Sequence, residues 1–355
     1  MTDLHTDTIL DVRGLKTHFF LDEGTVRSVD DVTFSIQRGK TLCVVGESGC
    51  GKSVSARSIL QLVDPPGRIV DGEILLRRRD ERGEPRETVD IAKLDPRGKE
   101  IRSIRGSEIA MIFQEPMTSL SPVHTIGDQI MENVQLHLRL DKSAARQRAI
   151  EVLGQVGIPR PDQRVDSYPF QLSGGMRQRA MIAMALACRP SVLIADEPTT
   201  ALDVTTQAQI LTLMKQLQQE IGMGLLFITH DLGVVAEIAD DVVVMYLGTV
   251  VERGTVDEIF HDPKHPYTQA LLKSVPRLDM DPRDRLGFIR GIVPNPFDRP
   301  GGCPFHPRCD RFMPGICDRI VPEPVRFGPN RDARCLLYDQ DQRPIGVDRL
   351  QEVGR

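Results

Sequence analysis

The chain has 355 residues, of which 40% are hydrophobic and 27% charged, with a formal net charge of −5. This balance is typical of a soluble globular protein, and the length suits one large α/β domain with an appendage. The mildly acidic charge, without a long basic run, does not favour nucleic-acid binding as the main task. No stretch reaches the roughly 18 apolar residues of a membrane-spanning helix, and no secretory signal precedes the first strand. We therefore expect a cytosolic protein whose seven cysteines are reduced thiols or metal ligands.

The first part of the chain predicts antiparallel strands followed by a strand, a turn and a helix. Apolar and polar residues alternate over Ile9–Ile36 around a turn at Asp22–Gly24, which predicts antiparallel strands. Thr41–Val45 predicts a short buried strand, and the spacing in Ser53–Leu62 predicts a helix. The highly charged residues 77–90 predict an exposed hairpin with a solvated loop.

The middle of the chain predicts a parallel sheet flanked by helices. Residues 125–157 have helical spacing in two amphipathic stretches, broken near Asp141 and Gly157. Further predicted elements alternate in this order: strand Val192–Ala195, helix from Val204, strand Leu225–Thr229, helix from Leu232, strand Val242–Tyr246. Such alternation favours a mainly parallel sheet. From Pro294 to Pro329, nine prolines exclude long helices and central strands.

A phosphate-binding motif follows the strand Thr41–Val45. Residues 46–53 are GESGCGKS and match G-x-x-x-x-G-K-[ST] between a predicted strand and a predicted helix, the context that this motif requires. Backbone N–H groups of such a loop and the helix N-terminus attract phosphates, whereas an ordinary glycine-rich turn is the alternative. Lys52 is expected to reach the β- and γ-phosphates and the Ser53 hydroxyl to bind Mg²⁺. The predicted nucleotide-binding residues of the loop are Gly46, Ser48, Gly49, Cys50, Gly51, Lys52, Ser53 and Val54.

Two carboxylates end the buried strand Val192–Ala195. Asp196 and Glu197 follow it directly, and the carboxyl end of a parallel strand lies beside the phosphate loop in such sheets. We predict that Asp196 holds Mg²⁺ and that Glu197 orients and deprotonates the attacking water. A charge pair at a helix N-terminus is the alternative.

The segment LSGGMRQ, Leu172–Gln178, resembles the LSGGQ signature of ATP-binding-cassette ATPases, with Met176 and Arg177 preceding Gln178. The resemblance implies an α/β fold: a P-loop NTPase core with an antiparallel β subdomain, a helical subdomain at about 115–172 and a C-terminal Pro/Cys-rich extension. It also implies a dimer in which the signature acts on the ATP held by the opposite subunit. The signature residues are Ser173, Gly174, Gly175 and Gln178.

Other positions match further motifs of that family in the expected order. The resemblance implies that Gln114 is the Q-loop glutamine, which binds Mg²⁺ together with Ser53 and Asp196, and that it senses the transport subunit. It also implies that Asp203, in Ala201–Asp203, belongs to the D-loop at the dimer interface. His230 is then the histidine that contacts the γ-phosphate. Phe19, with Phe20 as the alternative, is the aromatic residue whose ring stacks on adenine.

Two segments resemble the oligopeptide/dipeptide-importer branch of the family. They are QEPMTSLSP at Gln114–Pro122, where Glu115 and Ser121 replace the usual Asp and Asn, and HPYTQALL from His265. The resemblance implies import of peptides, with oligosaccharide, opine, nickel or glutathione as alternative solutes. The expected domains are a nucleotide-binding domain over residues 1–260 and an extension over 261–355.

The resemblance also implies a set of partners. They are a second, related ATPase in a heterodimer, two membrane permeases and, indirectly, an extracytoplasmic solute-binding protein, but no nucleic acid. The chain is then expected at the cytoplasmic face of the membrane. A soluble ATPase of the same superfamily, acting in DNA repair or translation, is the competing hypothesis.

The extension contains four cysteines that we predict to bind a metal. Cys303, Cys309, Cys317 and Cys335 have the spacing C-x5-C-x7-C-x17-C, with His306 as a substitute ligand. The tight pairs of a zinc site are missing, and four irregularly spaced thiolates suit a 4Fe–4S cluster at least as well. An iron–sulfur cluster, zinc and unliganded thiols all remain open from the sequence.

Overall fold

The computed structural model describes residues 7–79, 85–114, 119–200, 202–274 and 289–339. Within these residues the strands are β1 (Thr8–Leu21), β2 (Gly24–Gln37), β3 (Thr41–Val45), β4 (Gly67–Arg79), β5 (Pro85–Asp90), β6 (Ile109–Ile112), β7 (Val192–Asp196), β8 (Gly224–Ile228), β9 (Asp241–Tyr246), β10 (Thr249–Thr255), β11 (Val325–Gly328) and β12 (Arg331–Ala333). The helices are α1 (Lys52–Ile59), α2 (Lys99–Ile104), α3 (Ile126–Leu138), α4 (Lys142–Gln155), α5 (Pro161–Arg164), α6 (Gly174–Leu186), α7 (Val204–Ile221), α8 (Leu232–Ile238), α9 (Val256–His261) and α10 (Pro266–Lys273). Short 3-10 helices cover Ile91–Lys93, Pro169–Gln171 and His306–Arg308.

The smaller sheet is antiparallel and has the strand order β2-β1-β4-β5. Its first two strands form the pair predicted for Ile9–Ile36, with Val12 opposite Phe34. Both side chains are fully buried, because alternate residues of each strand turn towards the core. The predicted antiparallel strands are therefore confirmed.

Strands β4 and β5 form the hairpin predicted for residues 77–90. Its loop, residues 80–84, lies outside the described residues. Arg78, expected in a solvated segment, is half-buried on β4 and donates two hydrogen bonds to the Glu108 carboxylate, at 3.0 Å from Nε and 2.8 Å from Nη2. The base of this hairpin is thus tied to the body of the protein rather than solvated.

The larger sheet has the strand order β11-β12-β10-β9-β3-β8-β7-β6. Five neighbouring strands, from β9 to β6, are parallel to one another, which confirms the predicted parallel sheet. All residues of β3 and β7 are buried, as expected where helices cover both faces of a parallel sheet. Because β3 and β7 both flank β8, the segments that follow them meet at one edge of the sheet.

Helices α3, α4 and α6 pack together through a shared apolar core. Thr125 and Asp141 begin α3 and α4, since each side chain accepts the backbone N–H of the residue three positions later. Gly157 follows α4 with a φ of 76°. The two amphipathic helices and both of their predicted breaks are confirmed.

The residues beyond 261 are joined to the body by a strand and by an aromatic cluster. Strand β12 pairs with β10, so part of the extension continues the larger sheet. Phe305 is 2% exposed, and its ring centroid lies 5.3 Å from those of Tyr246 and Tyr267. Burial lowers the pKa of His265 to about 3, so its neutral ring accepts the N–H of Tyr267 at 3.0 Å.

In the described part of residues 294–329 the longest element has four residues, in agreement with the proline content. A boundary between two domains near residue 260 stays a prediction. Among the described residues, none of the helices has the length and apolar character needed to cross a bilayer.

Candidate functional site

The phosphate loop joins β3 to α1 in a tight turn, and two positions of this turn accept only glycine. Gly46 has a φ of 152°, and a Cβ there would lie 2.2 Å from the Met245 carbonyl oxygen. Gly51 has a φ of 101°, and a Cβ there would lie 2.1 Å from the Ser28 carbonyl oxygen. The backbone is therefore packed closely against two strands, while the N-terminus of α1 is free to attract an anion.

The predicted binding residues differ in their exposure. Ser48 and Gly49 are exposed at the tip of the loop, whereas Cys50 is 3% exposed beneath it. Burial raises the pKa of the Cys50 thiol, so Cys50 is a neutral apolar filler at this point. Val54, on α1, packs against the core beneath the antiparallel sheet.

Lys52 folds back over the loop that precedes it. Its Nζ donates to the carbonyl oxygens of Gly46 at 2.8 Å and Glu47 at 3.2 Å, and the residue is 6% exposed. An ammonium has three donors and no acceptor. The third contact of Nζ is to Cys50 Sγ at 3.9 Å, so the phosphates that this motif is predicted to bind would compete with these three acceptors for the same hydrogens.

Ser53 and Asp196 are brought together at the edge of the sheet. The Ser53 hydroxyl donates to Asp196 Oδ1 at 2.9 Å. Asp196 is 2% exposed, and burial raises the pKa of its carboxyl group, with the neighbouring charge of Glu197 acting in the same direction. A hydroxyl and a carboxylate oxygen are the hard ligands that Mg²⁺ prefers, so this pair fits the predicted metal ligands.

The carboxylate of Glu197 is held by three side chains from different parts of the chain. Gln114 Nε2 donates to Oε2 at 3.0 Å, Thr200 Oγ1 donates to Oε2 at 3.1 Å, and His230 Nδ1 lies 3.3 Å from Oε1. Glu197 also has a φ of 47°, and its N–H donates to the Ile228 carbonyl oxygen. A left-handed conformation in a glutamate is strained, and such strain concentrates at functional sites.

The signature and the D-loop lie beside each other. Ser173 begins α6 and accepts the Met176 N–H at 3.3 Å, and a Cβ on Gly175 would lie 3.1 Å from the Thr206 methyl group. Thr206 in turn donates its N–H and its hydroxyl to the carboxylate of Asp203, at 2.9 and 2.7 Å. These two bonds lower the pKa of Asp203. Ala201 of the same motif, and Glu115 after Gln114, lie outside the described residues.

Gln178 connects the signature helix to the acidic turn. It is 2% exposed, and its Nε2 donates to the Pro198 carbonyl oxygen, one residue after Glu197. Gly174, by contrast, has open space where a Cβ would point. One buried hydrogen bond therefore links α6 to the turn that contains Glu197.

The two candidate adenine-stacking rings have different surroundings. Phe19 lies opposite Val26 in the β1–β2 pair, and a Cβ on Gly67 would come within 2.5 Å of its ring. Phe20 is 41% exposed, with the Arg68 guanidinium 4.4 Å from its ring centroid. The adenine role of Phe19 stays a prediction.

The four cysteines of the extension are near one another but do not converge. Burial raises the pKa of Cys335 to about 12, and the charges of Cys303, Cys309 and Cys317 act in the same direction. His306 Nδ1 lies 3.0 Å from the Cys303 carbonyl oxygen. Among the described residues, no group of three or more His, Cys, Asp or Glu side chains is arranged to hold a metal ion. The predicted cluster or zinc site therefore gains no support from this arrangement.

Three residues that contact the site were not predicted from the sequence motifs. Thr200 donates to Glu197, Tyr267 Oη accepts the Glu47 N–H at 2.9 Å, and Arg308 binds the Glu47 carboxylate. Tyr267 belongs to the HPY segment, which the sequence marks only as typical of a family branch. Arg308 belongs to the segment GCPFHPRC at 302–309, which is likewise typical only of a family branch, and its partner Glu47 is 261 residues away.

Two family models match the chain. Residues 29–200 match the ABC transporter family, and residues 251–317 match the family described as the C-terminal region of oligopeptide/dipeptide transporters. The first match contains the phosphate loop, Gln114, the signature and the acidic strand end. The second contains the HPY segment and three of the four cysteines.

Individual relatives match over nearly their whole length. The chain is 50% identical to the oligopeptide transport ATP-binding protein AppD of Bacillus subtilis, covering 94% of this chain and 98% of the relative. It is 51% identical to the dipeptide transport ATP-binding protein DppD of Escherichia coli, covering 92% and 96%. A dimeric post-hydrolysis structure of the ATP-binding cassette MJ0796, bound to ADP and Pi, superposes with a TM-score of 0.60 and 26% identity over 70% of this chain and 99% of the other.

We predict that Asp196→Asn stabilises the protein in the absence of nucleotide and Mg²⁺. Burial raises the pKa of Asp196, so the ionised carboxyl costs folding free energy at neutral pH. This cost disappears as the pH falls through the raised pKa towards the unfolded value of about 3.9. The melting temperature should rise near pH 7 by about 1–2 °C for each kcal/mol relieved in a chain of this length, and the difference should shrink towards pH 4.

The matched control is Glu132→Gln, at an exposed carboxylate on α3, which should leave the melting temperature unchanged. An Asp196→Asn protein that melts at or below the wild-type temperature near pH 7 contradicts the prediction.

Proposed function

We infer that this chain, which belongs to the ABC transporter family, is the ATP-hydrolysing subunit of a peptide importer. The observation that carries the inference is the set of hydrogen bonds around Glu197, directly beside the buried Ser53–Asp196 pair. Subunits of this family use ATP and Mg²⁺ and couple hydrolysis to transport. The peptide branch is supported by the matched C-terminal region and by relatives named for oligopeptide and dipeptide transport.

The loop residues are proposed to bind the triphosphate and its metal ion. Backbone N–H groups from Gly46 to Ser53 and the Lys52 ammonium would surround the β- and γ-phosphates. Ser53, Asp196 and Gln114 would hold Mg²⁺, which neutralises phosphate charge. Phe19 is proposed to stack on adenine.

Glu197 is proposed as the general base. Gln114 and Thr200 both donate to its Oε2 and so orient the carboxylate, which allows a lone pair to be aimed at a water in line with the γ-phosphate. His230 is 64% exposed at its side chain and lies against the same carboxylate. We propose that it contacts the γ-phosphate and stabilises the charge that develops there.

The signature is proposed to complete the ATP site of a partner subunit. Ser173, Gly174 and Gly175 form the N-terminus of α6, whose N–H groups attract an anion, and Asp203 lies next to them. The dimeric cassette with which the chain superposes supports a sandwich of two subunits around two nucleotides. A related but distinct second ATPase is our proposal for the partner.

The location and the other partners are proposed from the family. We place the chain at the cytoplasmic face of the membrane, as a peripheral subunit beneath two permeases served by a solute-binding protein outside. Residues 1–260 are proposed as the nucleotide-binding domain and 261–355 as an extension with its own role. Peptides are the proposed solutes.

Although the described side chains are not arranged around a metal ion, we propose from the donor chemistry alone that the four cysteines hold a 4Fe–4S cluster, with zinc as the alternative. Four thiols in one proline-rich segment provide the donor chemistry, and each iron of a cluster needs only one of them. No step of ATP hydrolysis depends on such a group.

We predict that Glu197→Gln abolishes ATP turnover while ATP binding is kept. The amide can accept the same hydrogen bonds but cannot take a proton, so kcat should fall at least about 100-fold, whereas the affinity for ATP stays near the wild-type value. Phosphate release and binding of a fluorescent ATP analogue measure the two quantities. Glu132→Gln is the control, and near-normal phosphate release by Glu197→Gln refutes the assignment.

We predict that protein purified without oxygen absorbs at about 400 nm and contains iron and sulfide. Cys335→Ser should lose this absorbance, whereas Cys188→Ser, at a buried cysteine outside the extension, should keep it. Colourless wild-type protein with one zinc per chain supports the alternative metal. Colourless protein without metal contradicts both.

A further inference from the structure

One side chain of the extension forms an ion pair with the phosphate loop. Arg308 lies in the 3-10 helix His306–Arg308 and is 7% exposed. Its Nη1 donates to Glu47 Oε2 at 2.6 Å, and its Nη2 donates to Glu47 Oε1 at 3.0 Å. Its Nε donates to the Arg290 carbonyl oxygen at 2.9 Å, which fixes the plane of the guanidinium. The fork geometry of this pair is the strongest form of an ion pair.

Glu47 is the second residue of the phosphate loop and is held at three points. Its side chain is bound by Arg308, its N–H donates to Tyr267 Oη at 2.9 Å, and its carbonyl oxygen accepts from Lys52 Nζ at 3.2 Å. Two of these contacts come from residues beyond 261. The third is made with the Lys52 ammonium, which is expected to bind the phosphates. Glu47 is therefore the one residue that connects the extension to Lys52.

The charge of Glu47 is unfavourable for a loop that binds phosphates. A carboxylate in a loop that binds a triphosphate repels it electrostatically, and the repulsion is stronger than in bulk water because Glu47 is half-buried. The hydrogen bonds with Glu47 raise the pKa of Arg308 further above its ordinary value, so the guanidinium stays charged at every relevant pH. The pair therefore neutralises a carboxylate that belongs to the phosphate loop.

We propose that Arg308 is a positioning residue of the ATP site, which acts by neutralising Glu47 in the loop that presents Lys52. The proposal rests on the proposed ATP-binding function. It makes the extension a part of the nucleotide site, although the nucleotide-binding motifs themselves all lie before residue 261. Because the effect is electrostatic, it should grow with the number of phosphates on the ligand.

The test is a titration of the full-length chain with mant-ATP and mant-AMP, followed by fluorescence. Arg308→Gln should weaken mant-ATP binding at least about tenfold and mant-AMP binding clearly less, because it leaves Glu47 unpaired. Glu47→Gln should bind mant-ATP as tightly as wild type or more tightly. The double variant E47Q/R308Q should return to within about threefold of wild type.

The control is Arg334→Gln, which removes another ion pair between the extension and the body, to Asp31, and should bind both ligands as wild type does. If Arg308→Gln does not fold, Glu47→Gln and the double variant still test the proposal. It is overturned if either of them binds mant-ATP more weakly than wild type beyond the expected range. Equal affinity of Arg308→Gln and wild type overturns it as well. Failure of wild type itself to bind mant-ATP overturns the ATP-site function and, with it, this inference.

Discussion

The tight turn between β3 and α1 is the constraint on which the rest of the site depends. Gly46 and Gly51 bring the loop so close to neighbouring backbone that no side chain fits at either position. This leaves the N-terminus of α1 open to an anion and turns Lys52 back over the loop. Parallel strand order then brings the end of β7, with its two acids, to the same edge of the sheet.

Two adjacent carboxylates differ in environment, and the difference supports the separate roles that we propose for them. Asp196 is buried, has a raised pKa and accepts from Ser53, an arrangement suited to a metal ion that restores its charge. Glu197 leaves the strand in a left-handed conformation and is bound by Gln114 and other side chains. When neighbouring carboxyl groups have different surroundings, they can take different roles in one reaction, here those of metal ligand and general base.

The parallel sheet and the position of the phosphate loop could be predicted from the sequence. The strands of the larger sheet are continuous apolar runs, and the phosphate motif requires a strand, a turn and a helix in that order. The half-buried Arg78 was not predictable, since composition alone cannot tell a surface charge from one paired with Glu108. The same holds for Arg308 and Glu47, whose contact joins residues far apart in sequence. The cysteine spacing identifies a cluster of thiols, but spacing alone does not determine whether they converge on a metal.

The most direct test of the account is phosphate release from Mg·ATP by the purified chain over a range of protein concentrations, compared with Lys52→Ala. We expect wild-type specific activity to rise with concentration, because each site needs a signature that, without the distinct partner, only a second copy of this chain can supply, and we expect Lys52→Ala to lose activity at least about 100-fold. Equal activity of the two proteins, independent of concentration, would contradict it.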